Sequence, residues 1–286
     1  MKHAIMKLIK SLGGNLNPKT ASEQVMFSTI RLTCPNGSTG TGFYFLFELD
    51  NQQFVPVIIT NKHVVNNNPQ ETVSFNIHIK EGELPASDSL NLAFATRWHF
   101  HPKHDLCFCF VAPLFHEVKH RSNREPFCKF FRPKDIWNNE QLSELSAVED
   151  VIMVGYPTGL WDVKNNFPLF RKGITATHPA VDFNRENIGV VDMACFPGSS
   201  GSPIFILNEG SYATRNGLTV GSRLVFLGVL FEGPQFNAEG KLIIQEIPTG
   251  HQVSPLTPIM INLGYYIKAA EILHFLPIIR QHTNQV

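Results

Sequence analysis

Phe196-Pro197-Gly198-Ser199-Ser200-Gly201-Ser202-Pro203 runs straight into the apolar stretch Ile204-Phe205-Ile206-Leu207. An apolar run of this length, entered from Pro and Gly, reads as a strand. Glycine accepts backbone angles that other residues cannot adopt, so the segment ahead of the strand can close into a tight loop. Such a loop can turn successive N–H groups inward, where they stabilise the negative oxygen of a tetrahedral intermediate. A serine held between glycines suits nucleophilic catalysis, but the same composition makes ordinary turns. The rest of the chain decides between these readings.

Moving outward, the same punctuation recurs. Short apolar runs broken by Gly, Pro and Asn stand at 25–34 (VMFSTIRLTC), 42–49 (GFYFLFEL), 54–60 (FVPVIIT), 72–79 (TVSFNIHI), 91–96 (NLAFAT) and 105–111 (DLCFCFV). They resume at 151–157 (VIMVGYP), 173–178 (GITATH), 188–195 (IGVVDMAC), 224–233 (LVFLGVLFEG) and 242–247 (LIIQEI). Many short strands with turns between them predict an all-β sandwich or barrel. Between the two groups, residues 119–134 (KHRSNREPFCKFFRPK) carry six Lys/Arg and two Pro. They read as a solvated connector; a nucleic-acid patch is the lesser alternative. Two helices are expected at the ends. Ile5, Ile9 and Leu12 recur at helical spacing among Lys2, Lys7 and Lys10, and Gly13–Gly14 ends that pattern. A helix packed on the body is the simpler reading, and a membrane-surface anchor is the alternative. Near the C-terminus, Ile267, Ala270, Ile272 and Leu273 lie close to one face of a helix kinked or broken near Pro277.

Composition excludes several classes. Hydrophobic residues make up 43% and charged residues 17% of 286, the opposite of a disordered chain. Lys+Arg and Asp+Glu are 24 each, which argues against a dedicated nucleic-acid binder. No stretch of apolar residues is long enough for a membrane span, and the N-terminus makes a poor signal peptide. The five cysteines, Cys34, Cys107, Cys109, Cys128 and Cys195, are odd in number, so at least one is a free thiol. A reducing, cytoplasmic setting is expected. His99, His101 and His104 lie near Cys107 and Cys109, but their spacing matches no finger pattern. The cysteines fit as buried strand residues, and neither a metal nor a cofactor is expected. No phosphate-binding loop is present.

A hydroxyl at neutral pH needs a base. Of the twelve histidines, His63 stands out because it follows the run 57–60 directly, where a strand can hold it at a cleft rim. Alone it would more often be structural. Asp105, at the start of the run 105–111, is the candidate to orient the imidazole while largely buried. Alone it would be a turn residue. Together the order His63, Asp105, Ser200 resembles the chymotrypsin-like arrangement and differs from that of subtilisins and α/β-hydrolases.

The chain thus resembles the trypsin-like serine peptidases, closest to the HtrA/Deg type and bacterial stand-alone relatives. Three segments carry the resemblance: TNKHVV at 60–65, HDLCFCFV at 104–111 and PGSSGSP at 197–203. VGYPTG, RKGITAT and FLGVLFEG are secondary matches. The resemblance implies two six-stranded antiparallel β-barrels with short N- and C-terminal helices. Its parts would be an N-terminal extension (1–20), a first barrel (21–118), a connector (119–140), a second barrel (141–260) and a C-terminal helix (261–286). It implies Ser200 as nucleophile, His63 as base, Asp105 as its orienting partner, and the N–H groups of Gly198 and Ser200 as oxyanion hole. Ala194, Cys195, Phe231 and Gly233 would contact substrate, Gly233 by bonding its backbone as an added strand. The partners implied are a protein or peptide substrate and an activating or inhibiting protein; a role in bacterial stress or anti-phage defence is the analogous setting. The chain departs from digestive relatives at two places. Ser199 stands where they carry an Asp that pairs with a cut N-terminus, so activation of that kind is not expected. Ala194 stands where trypsin has its Asp, which points to small or medium apolar side chains. No PDZ-type module is expected either. The rival reading is a catalytically silent protease fold that binds peptides.

Overall fold

The computed structural model describes residues 16–50, 52–239 and 256–283. The helix expected at 2–12 and the strand expected at 242–247 lie outside these residues. In the first half, β1 (Thr29–Thr33), β2 (Thr39–Glu48), β3 (Phe54–Thr60), β4 (Thr72–Glu81), β5 (Leu84–Ala95), β6 (His99–Phe100) and β7 (Cys107–Phe110) form one sheet. Its order is β5-β4-β1-β2-β3-β7-β6. In the second half, β8 (Asp150–Gly155), β9 (Leu169–Thr175), β10 (Ile188–Asp192), β11 (Pro203–Asn208), β14 (Arg223–Glu232) and β17 (Leu263–Lys268) close into a barrel. Two hairpin-like pairs stand apart from it: β12 (Ser211–Thr214) with β13 (Gly217–Val220), and β15 (Gln235–Glu239) with β16 (Leu256–Met260).

One closed barrel is therefore found where two were expected. Among the described residues no ladder joins β5 to β6. The edges give a physical reason: β6 is two residues long, and half of β5 is exposed. Neither edge offers a long apolar partner.

The two halves share one core. The Phe43 ring meets Phe226 edge-on at 5.4 Å, and Phe131 stacks on Phe226 at 5.0 Å. All three are buried. Aromatic pairs of this kind each add about 0.5–1.5 kcal/mol beyond their buried area, so the two halves are held firmly against each other.

Phe131 belongs to the stretch expected as a solvated connector, and that expectation is corrected. After a helix, α2 (Ala112–Ser122), the chain runs back along the first sheet: Pro126 bridges to Ile79, and the Leu46 N–H donates to the Phe131 carbonyl at 2.9 Å. Phe127 and Phe131 turn inward, while Lys129 and Arg132 keep partial exposure. The basic residues interleave with aromatic ones, and it is the aromatic ones that dock.

Helices differ from expectation in several places: α2 stands mid-chain where none was expected, and Leu263–Lys268, expected within the C-terminal helix 261–286, is strand β17 of the barrel. Residues 25 and 26, read as strand, end a short helix, α1 (Ala21–Met26). Thr20 accepts from the Glu23 N–H while the Glu23 carboxylate accepts from the Thr20 N–H, a reciprocal cap that starts it. A second short helix, α3 (Asn139–Ser143), follows the connector. At the C-terminus a 3-10 segment, Ala269–Phe275, precedes α4 (Leu276–Thr283). The change of helix type falls just before Pro277. In the first turn of α4 its missing N–H costs nothing. Among the described residues no helix is long and apolar enough to cross a membrane.

His78 on β4 makes a testable contribution to stability. It is buried between the rings of Phe27 at 4.8 Å and Phe167 at 5.6 Å. Burial drives its pKa down from 6.5 to about 4. The unfolded chain then binds a proton that the folded chain refuses, so stability falls as pH drops from about 6.5 toward 4. The full effect is on the order of 3 kcal/mol. Urea melts across this range should show the loss, and His78→Phe should make the profile shallower between pH 6.5 and 4, leaving the part carried by His101, which burial also holds down to about 4.

Candidate functional site

The groove side of β3 ends at Thr60, and a single 3-10 turn, His63–Val65, follows. Val64 and Val65 are buried and anchor the turn, leaving the His63 side chain 42% exposed at the rim. His63 Nδ1 lies 2.5 Å from Asp105 Oδ2, and the His63 N–H donates to Asp105 Oδ1 at 3.2 Å. Both carboxylate oxygens thus face one residue. Asn61 is fully buried and donates from Nδ2 to the Asp105 carbonyl at 2.7 Å, which fixes the turn that presents the carboxylate. Asp105 was expected to be largely buried; its side chain is 29% exposed. It sits two residues ahead of β7 on an open turn, so solvent reaches it.

Ser200 is held from behind by the first half of the chain. Its carbonyl accepts from the Thr41 N–H at 2.9 Å. Thr41 Oγ1 donates to the Gly198 carbonyl at 3.3 Å and accepts from the Tyr156 N–H at 3.1 Å. The Thr41 carbonyl accepts from Thr60 Oγ1 at 2.7 Å. One residue of β2 thereby ties the Ser200 loop to the strand that carries His63. Gly201 sits in this knot with φ +84°, and a Cβ there would collide with the Thr41 carbonyl and lie 2.6 Å from Thr60 Oγ1. Among the described residues no hydrogen bond joins His63 to Ser200. In unliganded sites such bonds are often long and tighten only around substrate.

The loop also orients its amides. The Pro197 carbonyl accepts from the Thr158 N–H at 2.5 Å. The Pro197–Gly198 peptide is trans, so its N–H points away from Thr158. Neither the Gly198 nor the Ser200 N–H donates to a described residue. Gly198 has φ +85°, and a Cβ there would lie 2.8 Å from the Tyr156 carbonyl oxygen, which is why this position is glycine. Thr158 adopts φ +49°, unusual for a β-branched residue. Strain of about 1–3 kcal/mol at such a position persists only where its surroundings fix it. Here it aims the amide that pins the peptide.

The expected substrate-contact residues lie in the loop after β10 and at the end of β14. Cys195 is buried, and Ala194 is partly exposed. Gly264 on β17 backs them: a Cβ there would lie 2.5 Å from Cys195 Sγ and 2.8 Å from Leu230 Cδ1. Phe231 is half-buried, 6.5 Å from the Tyr265 ring, and Gly233 follows the end of β14. Arg171 on β9 donates to the Ala194 carbonyl at 3.2 Å and covers the Phe196 ring at 4.7 Å, so it braces the segment between pocket and loop. Ser199 is fully buried, with no hydrogen-bond partner for its hydroxyl.

Cysteine chemistry has no support here. All five thiols are free. Burial pushes Cys195 up to about 11 and Cys107 well above the ordinary thiol range. A thiol kept protonated is a poor nucleophile.

Sequence reading missed Thr41, Thr158, Asn61 and Arg171. Two signals for them were present. Thr41 lies between Gly40 and Gly42 on an otherwise aromatic strand, and Thr158 precedes Gly159 after a proline. Asn61 and Arg171 carry no local signal.

A β-fold in two halves, with a paired His and Asp in one half and a glycine-rich serine loop in the other, is the layout of a peptidase-type domain. The chain belongs to the trypsin-like peptidase domain family, whose model matches residues 40–212. Among solved structures it is similar to a crystal structure of Deg5, at 13% identity and a TM-score of 0.40, covering 73% of this chain and 81% of that one. It is also similar to the scabies mite inactivated protease paralogue S-I1, at 12% identity and a TM-score of 0.44, covering 93% and 99%. No curated protein matches the chain significantly.

Proposed function

We propose that the protein is a serine endopeptidase that cleaves peptide bonds of protein substrates through an acyl-enzyme, with a cytoplasmic site of action. His63 Nε2 takes the proton from Ser200 Oγ as that oxygen bonds to the scissile carbonyl carbon. The carbonyl oxygen gains the negative charge and receives the N–H groups of Gly198 and Ser200. The tetrahedral species collapses, the C–N bond breaks, and the proton passes from His63 to the leaving amine. Water then repeats the sequence on the ester. Asp105 holds the Nδ1–H tautomer throughout and stabilises the imidazolium. Gly233 pairs with substrate backbone, and the Ala194–Cys195 floor, crowded by Gly264 and Leu230, takes a small or medium apolar side chain beside Phe231.

The observation that carries this reading is the pairing of His63 with Asp105 at 2.5 Å on a turn that Thr60 and Thr41 tie to a loop with two unspent N–H groups. A second reading, a silent peptide-binding module, is favoured by the missing His63–Ser200 hydrogen bond. A fluorophosphonate probe separates the two. It should label wild-type protein at Ser200 and leave Ser200→Ala unlabelled. No labelling, alone or with added protein substrate, would support the binding module.

A further inference from the structure

The Pro197–Gly198 peptide is free to turn over. A flip changes only Pro197 ψ and Gly198 φ, and glycine accepts either sign of φ. After a flip the Pro197 carbonyl and the Gly198 N–H would have exchanged directions. What opposes it is the Thr158 N–H, which donates to that carbonyl at 2.5 Å. Ser199 offers no side-chain tether, since its hydroxyl has no partner. The direction of the Gly198 N–H therefore depends on how firmly Thr158 is held.

Thr158 does not hold itself. Its φ of +49° is unfavourable for a β-branched residue, so its neighbours must fix it. Upstream, Tyr156 is fully buried and its N–H donates to Thr41 Oγ1 at 3.1 Å. Downstream, the chain crosses the first half. Gly159, with φ +69°, passes close to β1 and β2: a Cβ there would lie 3.6 Å from both Arg31 Nη2 and Thr39 Oγ1. Two residues on, the Trp161 ring lies against the Arg31 guanidinium, with Cζ 4.1 Å from the ring centroid. Later anchors, Asn166 on the Asn76 carbonyl at 3.3 Å and Phe167 on the Phe27 ring at 5.5 Å, come too far along the chain to set the backbone at Thr158.

Arg31 is placed to receive the ring. It stands opposite Thr41 in the pairing of β1 with β2, on the strand pair that also holds the Ser200 carbonyl. Its Nη1 donates to Thr33 Oγ1 at 2.8 Å, while its Nε is buried without a partner. Among the described residues no carboxylate pairs with it. A guanidinium drawn partly out of water with no counter-charge is stabilised by an aromatic face.

We propose that Trp161 is a positioning residue for proteolysis. Seated on Arg31, its ring fixes the loop from 156 to 161, and through the Thr158 amide it keeps the Gly198 N–H directed at the developing oxyanion. The inference rests on the proteolytic reading.

The test uses the full chain and a cleaved peptide. Trp161→Ala should lower kcat about tenfold, within what a partly buried cation–π contact can shift, while KM stays within about twofold of wild type. A peptide boronate, which forms a tetrahedral adduct on the nucleophile, should lose affinity by the same factor. Trp161→Phe keeps a ring over Arg31 and should recover most of the rate. The Trp161 ring is partly exposed, so both variants should melt at the wild-type temperature. Unchanged kcat in Trp161→Ala, a raised KM with kcat kept, or a Trp161→Phe variant as slow as Trp161→Ala would each overturn the proposal. The second of these would make Trp161 a substrate contact. A wild type that neither cleaves nor takes the fluorophosphonate label would instead remove the proteolytic reading, and this inference with it.

Discussion

Ser200→Ala should lower kcat on a cleaved peptide by about 10⁶-fold, while the protein melts at the wild-type temperature. The size follows from what the exchange removes. Without Oγ no acyl-enzyme forms, so His63 and Asp105 have no proton to move. The three side chains work as one unit, and losing one member costs nearly as much as losing all of them. Ser200→Ala and Ser200→Ala/His63→Ala should therefore be equally slow. What remains comes from substrate binding and the amides of Gly198 and Ser200, worth about 10³–10⁴ over water. Stability should hold because the contacts that fix the loop are main-chain ones: the Ser200 carbonyl to Thr41, and the Gly201 N–H to Leu230 at 2.8 Å. Single-turnover assays, on a sequence chosen from a peptide library, give the measurement. A loss smaller than tenfold would remove Ser200 from the nucleophile's role.

Strand positions and the His63–Asp105 pair were legible because they rest on local signals: short apolar runs, and chemistry-bearing residues at strand ends. What stayed hidden was long-range. Nothing near residue 41 announces that its N–H meets a carbonyl more than 150 residues away. Nothing near Phe131 tells that it docks on Phe226 rather than facing solvent, because the basic residues around it dominate the local composition. The histidines at 101 and 104 were weighed against nearby cysteines, since neighbours in sequence are all a sequence offers. Their actual neighbour is Glu271, brought across by the C-terminal segment. The helix at Ala21–Met26 was missed for a different reason. Its cap, Thr20 to Glu23, is local and readable, but Val25, Met26 and Phe27 run on without a break into the apolar stretch that does form a strand.

Asp105→Asn is the sharper probe of the groove, with an expected fall in kcat of about 10⁴-fold and a fold that stays intact. The carboxylate can only accept, so at 2.5 Å it requires the proton on His63 Nδ1 and leaves the Nε2 lone pair free for the Ser200 hydroxyl. An asparagine amide can turn its NH₂ toward Nδ1. The ring then carries its proton on Nε2, where it blocks proton removal from Oγ. The exchange also deletes the negative charge that supports the imidazolium. Two contacts survive, and they make the experiment decisive: the Asp105 carbonyl keeps its bond from buried Asn61, and the side-chain oxygen of Asn can still accept from the His63 N–H. The turn therefore keeps its shape while the tautomer changes. Circular dichroism and thermal melts should match wild type, and fluorophosphonate labelling should slow in step with kcat. If turnover falls less than tenfold, the side chain of residue 105 serves only to shape its turn, and another group must set the tautomer of His63.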